Sequence, residues 1–242
     1  RDTMMMRGIL AAVTRNEDIK TTFLAGDRQA LSRLVRPLFE NLRQGQHVTH
    51  FYFTDLNRVN FLRVHNPSRH GDEIKRYTTR KAEAEGKTVS GIELGPFGTF
   101  TLRVVSPWFM EGKHGGYLEL GMEIEHVTLK LKEALGVELV FVINKSRLNR
   151  QKWEEGLEMM GRKGDWDLFS RFAVIDSTLE HIPKGLQKHM KLSHNTHADS
   201  LFSISLGGLD YRAGLAPLID VGGNDVGDIF VLVNITKSVD SV

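Results

Sequence analysis

Past Gly45 the apolar residues stop recurring every three or four positions and begin to alternate, and the alternation comes in two successive sets. This change of period constrains the chain most, because a side-chain repeat of about two cannot settle as a helix, nor one of about 3.6 as a strand. Before it, residues 4–44 are helical in pattern, with Leu31, Leu34, Val35, Leu38, Phe39 and Leu42 at helical spacing. Asp27 after Gly26 is a good N-cap where the helix can restart, and Pro37 should kink it or loosen one turn.

After it, HFYFTD (50–55) and VNFLRV (59–64) read as strands, 71–86 as a short polar helix ending at Gly86, and 88–94, 100–109 and 116–124 as three more strands. Residues 125–135 read as a helix stopped at Gly136. The order then repeats: a strand at 137–144, a polar connection at 148–163, a strand at 172–178 and a short helix at 184–192. Two strands at 201–220, bent at Gly207-Gly208, and one at 227–236 close the set, with a hairpin turn at GGND (222–225). Two units of two strands, a helical insert and about three strands, after one long helix, predict an α+β fold of mostly antiparallel sheets with flanking helices, of the PAS type.

A chain of 242 residues, 40% hydrophobic and 26% charged, can bury a core, and a net charge of +2 names neither nucleic acid nor an anionic membrane as partner. With no cysteine there is no thiolate chemistry, disulfide or Cys-type metal site. No apolar run reaches the roughly 18–20 residues of a membrane span. The ends, Arg1-Asp2-Thr3 and Ser241-Val242, read as cut, so a piece of a longer protein is expected.

FLRVH (61–65) and TLRVV (101–105) share Leu-Arg-Val. On each, Leu and Val point one way and the arginine the other. One sheet face is therefore aliphatic and suited to the N-terminal helix, while the other collects Phe61, Arg63 and His65 with Thr101 and Arg103. Two guanidiniums and an imidazole are costly to bury unless something satisfies them, and the guanidinium fork matches a carboxylate. The residues leave two readings open. One is a pocket for a small carboxylate-bearing ligand, walled by Asp72, Tyr77, Trp108, Tyr117 and Glu119 and rimmed by NPSRHGD (66–72). The other has the arginines solvated or paired internally with Asp72, Glu93 or Glu119.

Other motifs carry less. His189, His194 and His197 near Asp199 match no metal-ligand spacing, GGNDVGD (222–228) lacks the EF-hand pattern, and GPFG (95–98) is no phosphate loop. Trp108, Trp153 and Trp166 read as packing residues, and no Ser-His-Asp elbow or carboxylate pair supports catalysis. No cofactor is expected.

The runs HFYFTDLNRVNFLRVHNPSRHGD, SGIELGPFGTFTLRVVSPW and GYLELGMEI, with INKSRLNRQKWEEG and GDIFVLVNIT further on, resemble the double Cache sensor domains of bacterial chemoreceptors, sensor histidine kinases and diguanylate cyclases. The resemblance covers essentially the whole chain. It implies a non-catalytic, periplasmic ligand-binding region of an inner-membrane receptor, held between two transmembrane helices outside this sequence. It further implies a stalk helix (1–44) that pairs in a homodimer, a membrane-distal ligand module (45–136) and a membrane-proximal relay module (137–242). Arg63, His65, Arg69, Asp72 and Arg103 stand where the family pattern is recognisable. A module that binds no small molecule and answers to a periplasmic binding protein is the alternative.

Overall fold

Two N-caps divide the N-terminal helical segment of the computed structural model, which describes residues 1–110, 112–159, 161–189 and 201–236. Helix α1 (Asp2–Thr14) stops before Asn16, whose side chain accepts from the Ile19 amide and starts α2 (Glu17–Leu24). Asp27 accepts from the Ala30 amide and starts α3 (Arg28–Gln46), as its sequence context predicts. Helix α3 runs on through Pro37 and ends on His47 in the left-handed conformation. The expected long helix is thus three segments, because each cap satisfies backbone N–H groups locally and lets the chain turn.

The chain forms two compact units, Arg1–Glu93 with Thr101–Glu123, and Leu94–Phe100 with Ile124–Val242. In the first, strands β1 (His50–Thr54) and β2 (Asn60–Arg63) precede helix α4 (Tyr77–Glu85). Strands β3 (Val89–Leu94), β4 (Phe100–Met110) and β5 (Lys113–Glu123) complete an antiparallel sheet of order β2-β1-β5-β4-β3. The aliphatic face is as expected. Phe51, Phe53, Leu62, Val64, Val104, Leu118, Leu120 and Met122 form one buried cluster with Met6, Leu10 and Val13 of α1, Ile19 of α2, and Leu31, Val35 and Phe39 of α3.

Two local features depart from the sequence reading. Tyr52 pairs with Arg63 and Phe53 with Leu62, but Thr54 pairs with Asn60, which leaves Phe61 as the extra residue of a β-bulge. Phe61 consequently turns to the helical side, its ring 5.1 Å from that of Phe23. The second is at 71–76, expected as helix. Here the Asn60 amide donates to the Asp72 carbonyl, the Gly71 amide to the Asn60 carbonyl and the Ile74 amide to the Arg58 carbonyl. Pairing with the free edge of β2 satisfies this backbone, so helix begins only at Tyr77.

The second unit repeats the order. Helix α5 (Glu125–Leu135) precedes β6 (Val137–Asn144), α6 (Arg150–Met159) and β7 (Phe172–Ser177). Strands β8 (Phe202–Leu206), β9 (Leu209–Ile219) and β10 (Asp225–Asn234) then close a sheet of order β7-β6-β10-β9-β8. Val140, Val142, Tyr211, Phe230 and Leu232 pack with Phe169, Phe172 and Leu186 on one face. Its fit is tight at Gly227, where an added Cβ would stand 1.9 Å from the Val142 carbonyl oxygen.

Candidate functional site

The face of the first sheet turned away from α1–α3 is built by strand alternation. Across it Arg63 lies opposite Tyr52, Tyr52 opposite Glu119 and Glu119 opposite Val105. One row on, Arg103 lies opposite Gly121, and Gly121 opposite His50. A Cβ at Gly121 would stand 3.1 Å from both His50 Cβ and Thr101 Cγ2, so the glycine leaves space for those side chains. Helix α4 covers part of this face, with Ala82 packed on Val89, Val105 and Tyr117. Its N-terminus is held by the buried Glu93 carboxylate, which accepts from the Tyr77 and Thr78 amides and the Thr78 hydroxyl.

Three guanidiniums converge beside that helix start. Arg63 donates through both Nη atoms to the two oxygens of Asp72, each at 2.6 Å, and Nη1 also donates to the Arg69 carbonyl at 2.7 Å. Arg103 Nη1 and Arg76 Nη2 donate to opposite oxygens of Glu119, each at 2.6 Å. The guanidinium carbons of Arg76 and Arg63 lie 4.7 and 5.4 Å from the Tyr52 ring centroid, within cation–π range. Burial alone would raise the Glu119 carboxyl, but Arg76 and Arg103 outweigh it and hold Glu119 ionised below the ordinary carboxylate range. The charge-assisted pair with Arg63 likewise depresses Asp72.

Two imidazoles border the guanidiniums. His50 and His65 are in ring contact at 4.8 Å, and His65 Nδ1 accepts from the Phe51 amide at 3.3 Å. Burial first, and then Arg63, lowers His65 to about 4. Burial and Arg103 take His50 well below its usual value, so both rings are neutral near pH 7.

Most of the polar groups buried without a partner belong to this region. Among the described residues these are Nε of Arg58, Arg76 and Arg103, both amide atoms of Asn60, the Thr79 hydroxyl and, in the other unit, one oxygen of Asp176. Native interiors leave few such groups, and a concentration of them calls for an explanation.

The structure brings together Arg63, His65, Asp72, Arg103 and Glu119 from the sequence candidates, and Arg69 through its carbonyl. Tyr117 shares the face but sits in the apolar patch under α4. Tyr77 is 37% exposed with Lys81 Nζ over its ring, outside the cluster. Trp108 lies on the opposite face, in the helical core, with Nε1 donating to the Thr14 carbonyl. Sequence reasoning missed His50, Tyr52, Asn60 and Arg76. The alternation in HFYFT already places His50, Tyr52 and Thr54 on one face. Arg76 lies just before a helix in non-strand backbone, and no periodicity marks it.

In the second unit Trp153 and Trp166 have ring centroids 5.3 Å apart beside an open cleft of about 660 Å³. Lys145 Nζ lies 5.0 Å from the Trp166 centroid, and Gly98 and Gly164 leave room that Trp153 fills. His189 stacks on Phe202, while His194, His197 and Asp199 lie outside the described residues. No group of three His, Asp or Glu side chains placed to hold a metal occurs among the described residues. No described helix is long and apolar enough to cross a membrane.

The chain matches residues 2–239 of its length to a family described as the double sensory domain of two-component sensor kinase. No curated protein matches it. A sensory box/GGDEF family domain from Vibrio parahaemolyticus shares the fold, at 13% identity and a TM-score of 0.52 over 98% of this chain and 89% of that one. The periplasmic domain of Vibrio cholerae LuxQ does so at 13% identity and a TM-score of 0.52, over 92% and 88%.

Proposed function

We propose that this chain, which belongs to the double sensory domain family of two-component sensor kinases, detects a small carboxylate-bearing molecule on the basic face of its first unit. An extracytoplasmic sensory and non-catalytic role follows from the family. The observation that carries the ligand reading is the set of buried, unpartnered polar atoms in the first unit: Nε of Arg76 and Arg103, both amide atoms of Asn60 and the Thr79 hydroxyl. A buried N–H left unpaired costs about 1–3 kcal/mol, so a ligand that accepts from Arg76 and Arg103 recovers part of that in one bound arrangement. A ligand shifts a two-state receptor only by its differential affinity for the two arrangements.

In this reading residues 45–136 are the membrane-distal ligand module and 137–242 the membrane-proximal relay. The segment 1–44 pairs with its counterpart in a homodimer, and flanking transmembrane helices in an inner membrane carry the change across. Mass spectrometry of small molecules released from the purified domain, followed by calorimetric titration of those found, tests it. A bound acid whose affinity falls at least tenfold in Arg103→Ala supports the reading, and a clean release with flat titrations of amino acids, organic acids and amines overturns it.

One observation favours a second reading. Arg63 is closed on Asp72, and Arg103 and Arg76 on Glu119, so the arginines are tied up internally. Such a module would hold no small molecule and would answer to a periplasmic binding protein docked outside it. Flat titrations together with capture of a purified binding protein would select it.

A further inference from the structure

The two carboxylates of the basic cluster are held very differently. Glu119 is as buried as its partner Arg103, each side chain 3% exposed. Asp72 is 45% exposed while the Arg63 it grips is 6% exposed. A buried guanidinium fork thus has its bidentate acceptor delivered from the solvent side by a residue of the rim.

The backbone around Asp72 does not depend on that grip. The Gly71 amide and the Asp72 carbonyl are bonded to Asn60 of β2 and the Ile74 amide to the Arg58 carbonyl just before that strand, Val59 forms a bridge with Glu73, and Arg58 ties Glu73 and Glu83 together. The Asp72 side chain can therefore leave Arg63 by a change of rotamer, with the rim still zipped in place and its carboxylate already half in water. Arg63 would keep the Arg69 carbonyl on Nη1 and present the rest of its fork to whatever replaced Asp72.

We infer that Asp72 is a built-in competitor for the site's carboxylate: a ligand gains Arg63 by exchanging its own carboxylate for that of Asp72. This rests on the reading of this face as a ligand site. The exchange is neutral in charge, since one carboxylate leaves the guanidinium as another arrives. It favours planar acceptors that span both Nη atoms over spherical anions such as chloride. It also sets affinity, because an intramolecular carboxylate stands at high effective concentration and must be displaced.

Acetate, the smallest stable carboxylate of this geometry, is the probe. Its dissociation constant is measured by NMR titration on the full chain, with sodium chloride at matched ionic strength as control. Asp72→Asn is expected to bind acetate at least tenfold more tightly than the natural sequence, with no matching response to chloride. Adding Arg63→Gln is expected to abolish the gain. Asp72→Ser, smaller and also neutral, gives the same reading should Asp72→Asn fold poorly. Equal affinities with and without Asp72, or a gain that survives Arg63→Gln, overturn the inference. Failure of the ligand-site reading alone looks different: metabolite screens stay flat on the natural sequence while acetate still exchanges at Arg63 in Asp72→Asn.

Discussion

Replacing Glu119 by Gln tests how dry the basic face is. The Glu119 carboxylate, 3% exposed, accepts one charged hydrogen bond from Arg103, itself 3% exposed, and one from Arg76, 18% exposed. Glutamine keeps the shape, but it loses the negative charge and turns one of two acceptor oxygens into a donor that faces a guanidinium. Removing one partner of a buried pair leaves an uncompensated charge and costs about 3–5 kcal/mol, against about 0–1 for an exposed pair. At about 2–4 °C per kcal/mol for a chain of this size, the melting temperature should fall by roughly 6–20 °C. Of the three tryptophans only Trp108 lies in the first unit. Urea unfolding followed at Trp108, with Trp153 and Trp166 changed to Phe, therefore reports this unit alone. Combined with Arg103→Met in a double-mutant cycle, Glu119→Gln should show a coupling of about 2 kcal/mol or more. A loss under about 1 kcal/mol that vanishes in 1 M salt would mean that water already screens these charges, and the reasoning for a site that needs an acceptor would fall with it.

Three further outcomes follow. His65, held near 4 when folded against about 6.5 when unfolded, binds protons more readily unfolded; its contribution is intact above pH 6.5 and is lost as pH falls towards 4, on the order of 3 kcal/mol in all. Urea midpoints for His65→Gln, which keeps an acceptor, should show a flatter pH dependence in that window, and an unchanged slope would refute the assignment. Trp108→Ala should cost about 3–5 kcal/mol by thermal unfolding, because it empties the helical core and leaves the Thr14 carbonyl unpaired, with no specific effect on acetate binding. Gly227→Ala should destabilise the second unit by about 2 kcal/mol or more, read from amide exchange in β6 and β10, because its Cβ would meet backbone that cannot step aside.

Alternation made much of the fold legible. The aliphatic face follows from Leu62, Val64, Val104 and Leu118, because a period of two fixes which way each side chain points, whereas the order of the strands across the sheet does not. The same rule places Trp108 with Leu102 and Val104, so its position in the helical core was readable and its candidacy as a wall residue was not. Phe61 escaped the rule because a bulge inserts one residue, and nothing in NFLR marks where the count slips. The stretch before α4 misled for a different reason: its polar residues look helical, while an unfilled strand edge, visible only in three dimensions, captures their backbone. Arg63, Arg103, Asp72 and Glu119 were readable as a set but not as pairs, since pairing depends on rotamers that spacing does not encode.

Both sheets share one strand order, and in each the first and last strands are neighbours at the centre. The last strand, β10, is laced on both sides, to β6 and to β9. Tension applied along it would load two hydrogen-bond ladders in shear at once, where an edge strand would unzip one bond at a time. A tug arriving through β10 would therefore shift the whole sheet as a plate before any part of it came apart.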